Sequence, residues 1–289
     1  SWGAQNDQAF IAHLLGVDPE PGQPFAELWM GIHPKSPSHV VDPLNGLQSL
    51  SSWIEENPEE RLSLQESADF SGTLPYLFKV LSAAQALSIQ AHPNKEQAEK
   101  LHRANPEHYP DDNHKPEVAI AIDHLDALVG FISSQTFELT LEQYPELKTL
   151  LNGTASTTEN LETSVLKLLS LWKDQTTRVE TCIEAIYQRL FKQEICNETE
   201  LLFLDLKKDF GKPDIGLLFV FFLNRVHLAP GEAVFLPPGV PHAYLRGNII
   251  ECMANSDNVV RLGLTEKFCD ATALAEVLVF DGNSDFRLE

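Results

Sequence analysis

The chain has 289 residues, 43% of them hydrophobic, which is enough for one large domain with an insert or for two domains. Its 42 acidic residues outnumber its 21 basic ones and give a formal net charge of −21. A surface this acidic argues against nucleic acids and anionic membranes as partners, and it repels phosphorylated metabolites at long range. A phosphate-binding pocket would therefore have to concentrate basic side chains locally.

Four cysteines are present, and none lies in a C-x-x-C pair. The sequence therefore suggests neither a disulfide framework nor a thiolate zinc site, and we expect a reducing, cytoplasmic setting. The longest apolar run, at about 215–223, is far shorter than the roughly 20 residues that a membrane-spanning helix needs.

The first zone, residues 1–133, mixes short strands with proline-rich loops. The stretches "LFKVLSAAQALSIQAHP" and "HKPEVAIAIDHLDALVGF" are predicted to form strands, because apolar and β-branched residues dominate them. A short helix should follow the first stretch, since Asn94 is a suitable N-cap and residues 95–103 favour helix.

The second zone, residues 134–205, has helical periodicity and predicts an insert of three or four helices. The loop "NGTASTTEN", at 152–160, ends in residues that favour a helix start. We expect this zone to pack without taking part in chemistry. The apolar positions that define its two stripes are Leu161, Val165, Leu168, Leu169 and Trp172, and then Val179, Ile183, Ile186, Tyr187 and Leu190.

The third zone, residues 206–289, returns to strands, beginning with "IGLLFVFFLNRVHLAP". Glycine and proline turns separate short apolar runs here, which is typical of a β-sandwich or barrel.

The stretch "SIQAHPNK" places Ser88, Gln90 and His92 on one face of a strand. Side chains two residues apart on a strand are about 7 Å apart and can both reach one metal ion. Taken alone, a histidine on a strand is more often structural, because buried histidines commonly satisfy hydrogen bonds.

A second strand, in "NHKPEVAIAI", carries Lys115 and Glu117 on one face, continued by Ala119 and Ala121. The small alanines leave room for a ligand beside the two charged groups. An exposed face with an ordinary ion pair is equally consistent with this pattern.

The stretch "PGEAVFLPPGVPHAYL" combines Gly231, Pro237, Gly239 and His242 in the spacing G-x5-P-x-G-x-x-H. Its turn residues deliver His242 to the start of a strand, with Tyr244 on the same face. This spacing matches the second metal-binding motif of cupin barrels, and its strand–turn–strand context adds weight to the match.

The last stretch, "NIIECMANSDNVVRLGLTEK", places Glu251 on a strand and Asp257 in a turn. Arg261 follows on the next strand between Val260 and Leu262. We expect its guanidinium to point into a polar pocket, because burying the charge among apolar groups is costly.

Together these stretches resemble the type I mannose-6-phosphate isomerase family of the cupin superfamily. The stretches "WG" and "AELWMGIHPKSPS" near the start of the chain also resemble the opening of that family. The resemblance implies a mainly β fold, a cupin-type jelly-roll barrel. Its two parts, at 1–133 and 206–289, would flank a helical insert domain at 134–205. Many members continue into a second, C-terminal cupin-like domain, which we expect to be short or absent here.

The resemblance also implies one zinc ion per chain, bound by Gln90, His92, Glu117 and His242, and a catalytic role for Arg261. Such nitrogen and oxygen ligands also suit manganese, iron or cobalt, so zinc is inferred from the family.

The implied reaction interconverts mannose 6-phosphate and fructose 6-phosphate through a cis-enediol. The metal and a fixed arginine would stabilise the negative charge that develops on O1 and O2. The residues leave the base open among Glu251, Asp257, His114, Lys115 and a hydroxide on the metal. The candidate substrate contacts are Ser88, Lys79, Lys115, Tyr244 and Lys267.

One departure from the family concerns Glu266, which stands where the family usually has proline before the lysine of this loop. It bears on the position of Lys267. The alternative function is a non-catalytic metal-containing cupin that binds sugar phosphates, which binding without isomerisation would favour. An iron cupin dioxygenase is disfavoured, because Gln90 and the lysines have no evident place in one.

Overall fold

The computed structural model describes residues 2–43, 45–152 and 160–288. Most of the predicted loop at 152–160 lies outside these residues. The strands are β1 (Ala4–Gln5), β2 (Pro24–Phe25), β3 (Glu27–Met30), β4 (His39–Asp42), β5 (Gly46–Ser49), β6 (Tyr76–Ala83), β7 (Ile89–Ala91), β8 (Glu117–Phe131), β9 (Leu223–Leu228), β10 (Ala233–Leu236), β11 (His242–Ala254), β12 (Val260–Gly263) and β13 (Arg287–Leu288). The helices are α1 (Phe10–Leu15), α2 (Leu50–Glu56), α3 (Pro58–Leu62), α4 (Leu64–Asp69), α5 (Lys95–Ala104), α6 (Ser134–Gln143), α7 (Pro145–Asn152), α8 (Leu161–Asp174), α9 (Thr176–Leu190), α10 (Glu198–Phe210), α11 (Gly216–Phe219) and α12 (Ala271–Val277).

In the described chain, nine strands form one antiparallel sheet, with β12, β7, β11, β8, β10 and β13 as neighbours in that order. The sheet also includes β3 and β6, which join through β11, and β9, which pairs with β8. The long strands β8 and β11 pair along most of their length, with register shifts that interrupt the ladder near Gly247. Such irregularities bend strands and let one sheet wrap around a site.

The stretch that begins "SIQAHPNK" forms the predicted strand and helix. Ile89 and Ala91 of β7 are fully buried in the larger hydrophobic core, so Gln90 faces the other way. Asn94 then caps α5: its side chain accepts from the amide of Gln97, whose own side chain accepts from the amide of Asn94. This reciprocal capping satisfies two amides that the first helical turn leaves without partners.

Helices α6 to α10 lie between β8 and β9. Both predicted apolar stripes, in α8 and α9, pack into the larger core, where Trp172 and Tyr187 are partly buried and the other stripe residues are buried. The prediction of three or four helices was too low for the described chain, because α6 and α7 are separated by a single residue, Tyr144. α10 continues to Phe210, beyond the expected limit at 205. Asn160, the last residue of the predicted loop, caps α8 as expected.

The run "IGLLFVFF" was predicted as strand and is helical. Gly216–Phe219 form α11, and the following strand begins only at Leu223. All of these side chains are buried. A short, continuous apolar run has no periodicity, so burial on all sides is compatible with either a helix or a strand.

Over the described residues, helices contain more of the chain than strands do. The structure is therefore a large antiparallel sheet with a substantial helical part, and the expectation of a mainly β chain was wrong. The reason is that α2 to α4 and α6 to α11 are inserted between strands of the sheet. None of the helices in the described part of the chain is long and apolar enough to cross a membrane.

The turn before β11 depends on Gly239, which has a φ of +84°. A Cβ atom at this position would lie 2.5 Å from Val279 Cγ2 and 2.6 Å from the carbonyl oxygen of Val277. The amide of Gly239 donates to the carbonyl of His92 at 2.8 Å. Glycine therefore brings this turn into contact with the end of β7, which places His92 and His242 side by side.

Candidate metal centre and substrate cavity

His92, Glu117 and His242 form a fully enclosed cluster on three neighbouring strands or strand ends. Each has at most 2% of its surface exposed. One possible ligand atom from each side chain lies within 4.8 Å of the other two. His92 Nε2 is 3.4 Å from Glu117 Oε1, and His242 Nε2 is 3.3 Å from Glu117 Oε2.

The hydrogen bonds at the far side of both imidazoles fix their tautomers. His92 Nδ1 lies 2.8 Å from the carbonyl of Asn258, and His242 Nδ1 lies 2.9 Å from the carbonyl of Val240. A carbonyl only accepts, so both Nδ1 atoms carry the hydrogen. Both Nε2 lone pairs therefore face the Glu117 carboxylate.

At this distance the two nitrogen lone pairs repel the negatively charged carboxylate, and a cation bound between the three groups would offset this repulsion. Within the described chain, His92 Nε2, His242 Nε2 and Glu117 Oε2 have no hydrogen-bond partner although they are buried. Buried polar atoms without partners are rare in folded proteins. The arrangement fits a divalent metal ion bound by two imidazoles and one carboxylate, each imidazole being oriented by its second nitrogen.

The protonation states agree with this reading. Burial lowers the pKa of His92 to about 4, so the ring is neutral at neutral pH. For Glu117, burial acts to raise the pKa, but Lys115 and the two histidines outweigh it and hold the pKa well below its usual value. His92 therefore presents a neutral nitrogen and Glu117 a carboxylate, which are the forms that bind metal.

A polar network holds the loop that orients His92. Asp111 accepts from the Ser256 hydroxyl, the Asp257 amide and the Asn258 side chain. Asn258, which is fully buried, supplies the carbonyl that accepts the hydrogen bond from His92 Nδ1. The turn predicted around Asp257 therefore orients His92 through the backbone carbonyl of Asn258.

Gln90 occupies the middle of three adjacent strands. It pairs in register with His242 on β11 and with Arg261 on β12. Residues directly opposite each other on antiparallel strands lie on the same face of the sheet. Gln90 therefore shares one face with His242 and Arg261.

This face opens into a cavity of about 600 Å³, a volume typical of small-molecule sites. Four acidic and four basic side chains line it, although acids outnumber bases two to one in the whole chain. Basic groups are thus concentrated here. The basic ones are Lys79, Lys115, Arg261 and Lys267, and the acidic ones are Glu27, Glu117, Glu251 and Glu266.

Glu251 and Lys79 lie opposite each other on β11 and β6 and are both buried. Lys79 Nζ is 3.3 Å from Glu251 Oε2, and the Tyr244 hydroxyl donates to Glu251 Oε1 at 3.0 Å. Burial and the nearby Glu117 raise the pKa of Glu251. Burial acts to lower the pKa of Lys79, but Glu251, Glu27 and Glu117 outweigh it, so this pKa is raised.

Lys115 links this group to the metal cluster, since its Nζ lies 3.2 Å from Glu117 Oε1. Arg261 is half-buried, and burial lowers the pKa of its guanidinium. An arginine remains charged under these conditions. The cavity therefore holds one permanent cation and a lysine close to the metal cluster.

Of the other predicted side chains, Ser88, Tyr244 and Lys267 line the cavity, the last of these being exposed. His114 and Asp257 are not among its lining residues in the described chain. Asp257 lies 3.3 Å from His33 and 2.6 Å from Lys35. Burial acts to raise the pKa of Asp257, but these contacts, led by the hydrogen bond from Lys35, lower it.

The sequence analysis missed several cavity residues. Trp2, Glu27, Phe210 and Thr265 line the cavity, although they come from four distant parts of the chain. Phe210 is the last residue of α10, a helix that begins in the zone expected to take no part in chemistry. Glu27 lies in the quoted stretch "AELWMG", which was its only signal.

A buried cluster of metal-binding type below a cavity rich in basic side chains defines a metal-binding enzyme built on an antiparallel sheet. The model of the phosphomannose isomerase type I catalytic domain matches residues 1–133. Mannose-6-phosphate isomerase of Homo sapiens is 40% identical in an alignment that covers 98% of this chain and 71% of that protein. Mannose-6-phosphate isomerase 1 of Arabidopsis thaliana is 38% identical, over 96% of this chain and 68% of that protein.

Solved structures give the same result. A mutant of phosphomannose isomerase from Salmonella typhimurium superposes with a TM-score of 0.86 at 34% identity, covering 97% of this chain and 72% of that one. A zinc-bound mannose 6-phosphate isomerase superposes with a TM-score of 0.84, also at 34% identity. The chain belongs to the type I phosphomannose isomerase family.

Proposed function

We propose that this chain interconverts mannose 6-phosphate and fructose 6-phosphate, using one zinc ion bound by Gln90, His92, Glu117 and His242. The observation that carries the proposal is the set of buried, unpartnered nitrogen and carboxylate atoms at the edge of a cavity that concentrates basic groups. When bound, the metal would act as a Lewis acid toward the sugar oxygens. The zinc-bound relative supports zinc over the other divalent metals.

The isomerisation moves one proton from C2 of the open-chain aldose to C1 of the ketose through a cis-enediol, while a second proton leaves O2 and another arrives at O1. We assign the stabilisation of negative charge on O1 and O2 to the guanidinium of Arg261, which is charged and lies on the same sheet face as two proposed ligands. Its rigid position on β12 avoids the reorganisation that solvent would need.

We assign proton transfer to Glu251, with Lys115 as the competing candidate. Both side chains line the cavity, whereas His114 and Asp257 are not among its lining residues in the described chain. A base works best when its pKa lies near the working pH, and burial raises the pKa of Glu251 in that direction. Ser88, Lys79, Tyr244 and Lys267 remain the proposed substrate contacts.

We also propose that the sheet is a cupin jelly-roll barrel with its two parts at 1–133 and 206–289 and a helical insert domain at 134–205. A cytoplasmic location and the absence of nucleic acid and membrane partners belong to the same proposal. They are supported by the strongly acidic composition and by the four free cysteines.

The test is an assay that couples fructose 6-phosphate formation to a reporter enzyme, before and after chelation and with zinc added back. We expect turnover that is lost with the metal and restored by zinc. Absence of turnover with one zinc per chain, together with calorimetric binding of mannose 6-phosphate, would instead support the non-catalytic binding protein.

A further inference from the structure

Asp214, between α10 and α11, is a buried carboxylate to which no role has been assigned so far. It is 7% exposed and accepts from three backbone amides. Oδ1 accepts hydrogen bonds from the amides of Gly216 at 2.7 Å and Leu264 at 2.6 Å. Oδ2 accepts one from the amide of Thr265 at 3.3 Å. Burial raises the pKa of this carboxyl group, and the three amides oppose the shift.

The segment that Asp214 holds has an unfavourable conformation. Leu264 has a φ of +54°, in the left-handed region that branched side chains rarely adopt. A hydrogen bond from its amide to a buried carboxylate is of the strong, charge-assisted kind. The bond can therefore offset the free-energy cost of this strained backbone conformation.

The two backbones meet without side chains between them. A Cβ atom on Gly263 would lie 2.4 Å from the Gly216 nitrogen and 2.8 Å from Asp214 Oδ1. The turn at 214–216 therefore packs directly on Gly263 at the end of β12, two residues after Arg261. A second contact, exposed to solvent, joins the same segments: Lys212 Nζ lies 2.7 Å from Glu266 Oε1.

The held segment forms one side of the proposed active-site cavity. Leu264, Thr265, Glu266 and Lys267 all line it, whereas Asp214 does not. Asp214 therefore contacts the cavity through this segment and does not line it.

We propose that Asp214 is a positioning residue: its carboxylate holds residues 264–267 against the cavity and so sets the affinity for the phosphorylated substrate. The proposal rests on the isomerase function given above. Because the held residues include Lys267, a proposed substrate contact, and none of the proposed metal ligands, the effect should fall on KM more than on kcat.

Asp214→Asn tests this, because it keeps the shape but removes the charge and replaces one acceptor by a donor that faces an amide. We expect KM for mannose 6-phosphate to rise about 10-fold, kcat to stay within about 3-fold and the zinc content to stay at one per chain. Hydrogen–deuterium exchange at the amides of Leu264 and Thr265 should become faster.

Two further variants separate positioning from general damage. Lys212→Ala removes only the exposed ion pair and should leave KM within about 2-fold. Leu264→Gly added to Asp214→Asn should recover part of the lost affinity, because glycine adopts a positive φ without strain. If Asp214→Asn does not fold, Asp214→Glu keeps the charge, and we expect a KM rise of about 3-fold.

An unchanged KM despite faster exchange at 264–265 overturns the proposal. So does a parallel loss of kcat, zinc and affinity without any change in exchange, because that would make Asp214 merely structural. A wild-type chain that does not isomerise its substrate sinks the proposed function alone, since the exchange measurement still decides whether Asp214 anchors the segment.

Discussion

At the scale of single residues, the chemistry of the site follows from where hydrogens are placed. Two backbone carbonyls accept hydrogen bonds from the Nδ1–H groups of His92 and His242, and Glu117 is held ionised by its neighbours. None of these partners is evident from the spacing of the ligands. The residue types predict which atoms bind metal, and the surrounding carbonyls decide their state.

Arg261 provides the first prediction at this scale. Arg261→Ala should lower kcat by about 100-fold or more, because a preorganised cation at the developing charge is lost. Zinc content, measured by elemental analysis, should remain at one per chain, since Arg261 is not a proposed ligand. Arg261→Lys should recover little, because a lysine does not reproduce the guanidinium geometry. Loss of zinc in Arg261→Ala would reassign this residue to structure.

Tyr244 offers a test of the proposed base through pH. Its hydroxyl donates to Glu251 and favours the ionised carboxylate, so Tyr244→Phe should raise the pKa of Glu251 further. A base that must be ionised then becomes active only at higher pH. The acid limb of the kcat/KM profile should therefore move up by about one pH unit.

The matched control is Tyr109→Phe, which removes a hydroxyl that donates to Asp270 at 3.1 Å outside the cavity lining. Its pH profile should match that of the wild type. If the acid limb does not move in Tyr244→Phe, proton transfer belongs to another group, and Lys115 becomes the stronger candidate.

At the scale of elements, the turn before β11 shows how one glycine fixes a metal site. Gly239→Ala would place a methyl group against Val279 and the Val277 carbonyl and would strain a positive φ. We expect a loss of about 2–4 kcal/mol in the free energy of unfolding and about 10-fold weaker zinc binding, because the turn carries His242 and contacts His92. Denaturant titration and zinc competition with a chelator measure the two effects.

Gly231→Ala is the control for this variant. Gly231 has nearly the same φ, +85°, but a Cβ atom there meets nothing within 4 Å. It should lose about 1 kcal/mol from backbone strain and keep its zinc affinity. Equal zinc affinity in both variants would show that the clash with Val279 does not displace the proposed zinc ligands.

Elements also show where sequence patterns succeed. α5 was predictable because capping and helix propensity are local, and β7 because its apolar and polar residues alternate. The helical run at 216–219 was not, since a fully buried segment has no polar face to reveal its period. Asp214, just before this run, gave no signal because two of its three partners, Leu264 and Thr265, lie 50 and 51 residues away.

At the scale of the whole molecule, charge distribution affects how substrate arrives. The net charge of −21 repels an anionic substrate at long range, whereas the cavity balances acids with bases. Raising the ionic strength from about 0.01 M to 0.15 M shortens the screening length from about 30 Å to about 8 Å. We expect kcat/KM for mannose 6-phosphate to rise over this range with kcat unchanged.

Steady-state kinetics in sodium chloride at constant pH measure this effect, and a viscosity series controls for diffusion. A fall in kcat/KM over the same range would mean that the cavity cations dominate the approach of the substrate. The repulsion from the surface would then be unimportant.

The sequence by itself determined the residues able to bind metal and the strands that carry them, because side-chain chemistry and strand alternation are properties of short stretches. It also identified the family through motifs that are each local. Only the tertiary structure decided that Glu27, Phe210 and Thr265 meet at the cavity, that His114 and Asp257 stay outside its lining, and that Asp214 holds its rim. These relations join residues far apart in the chain, and the packing of the sheet against its inserted helices sets them.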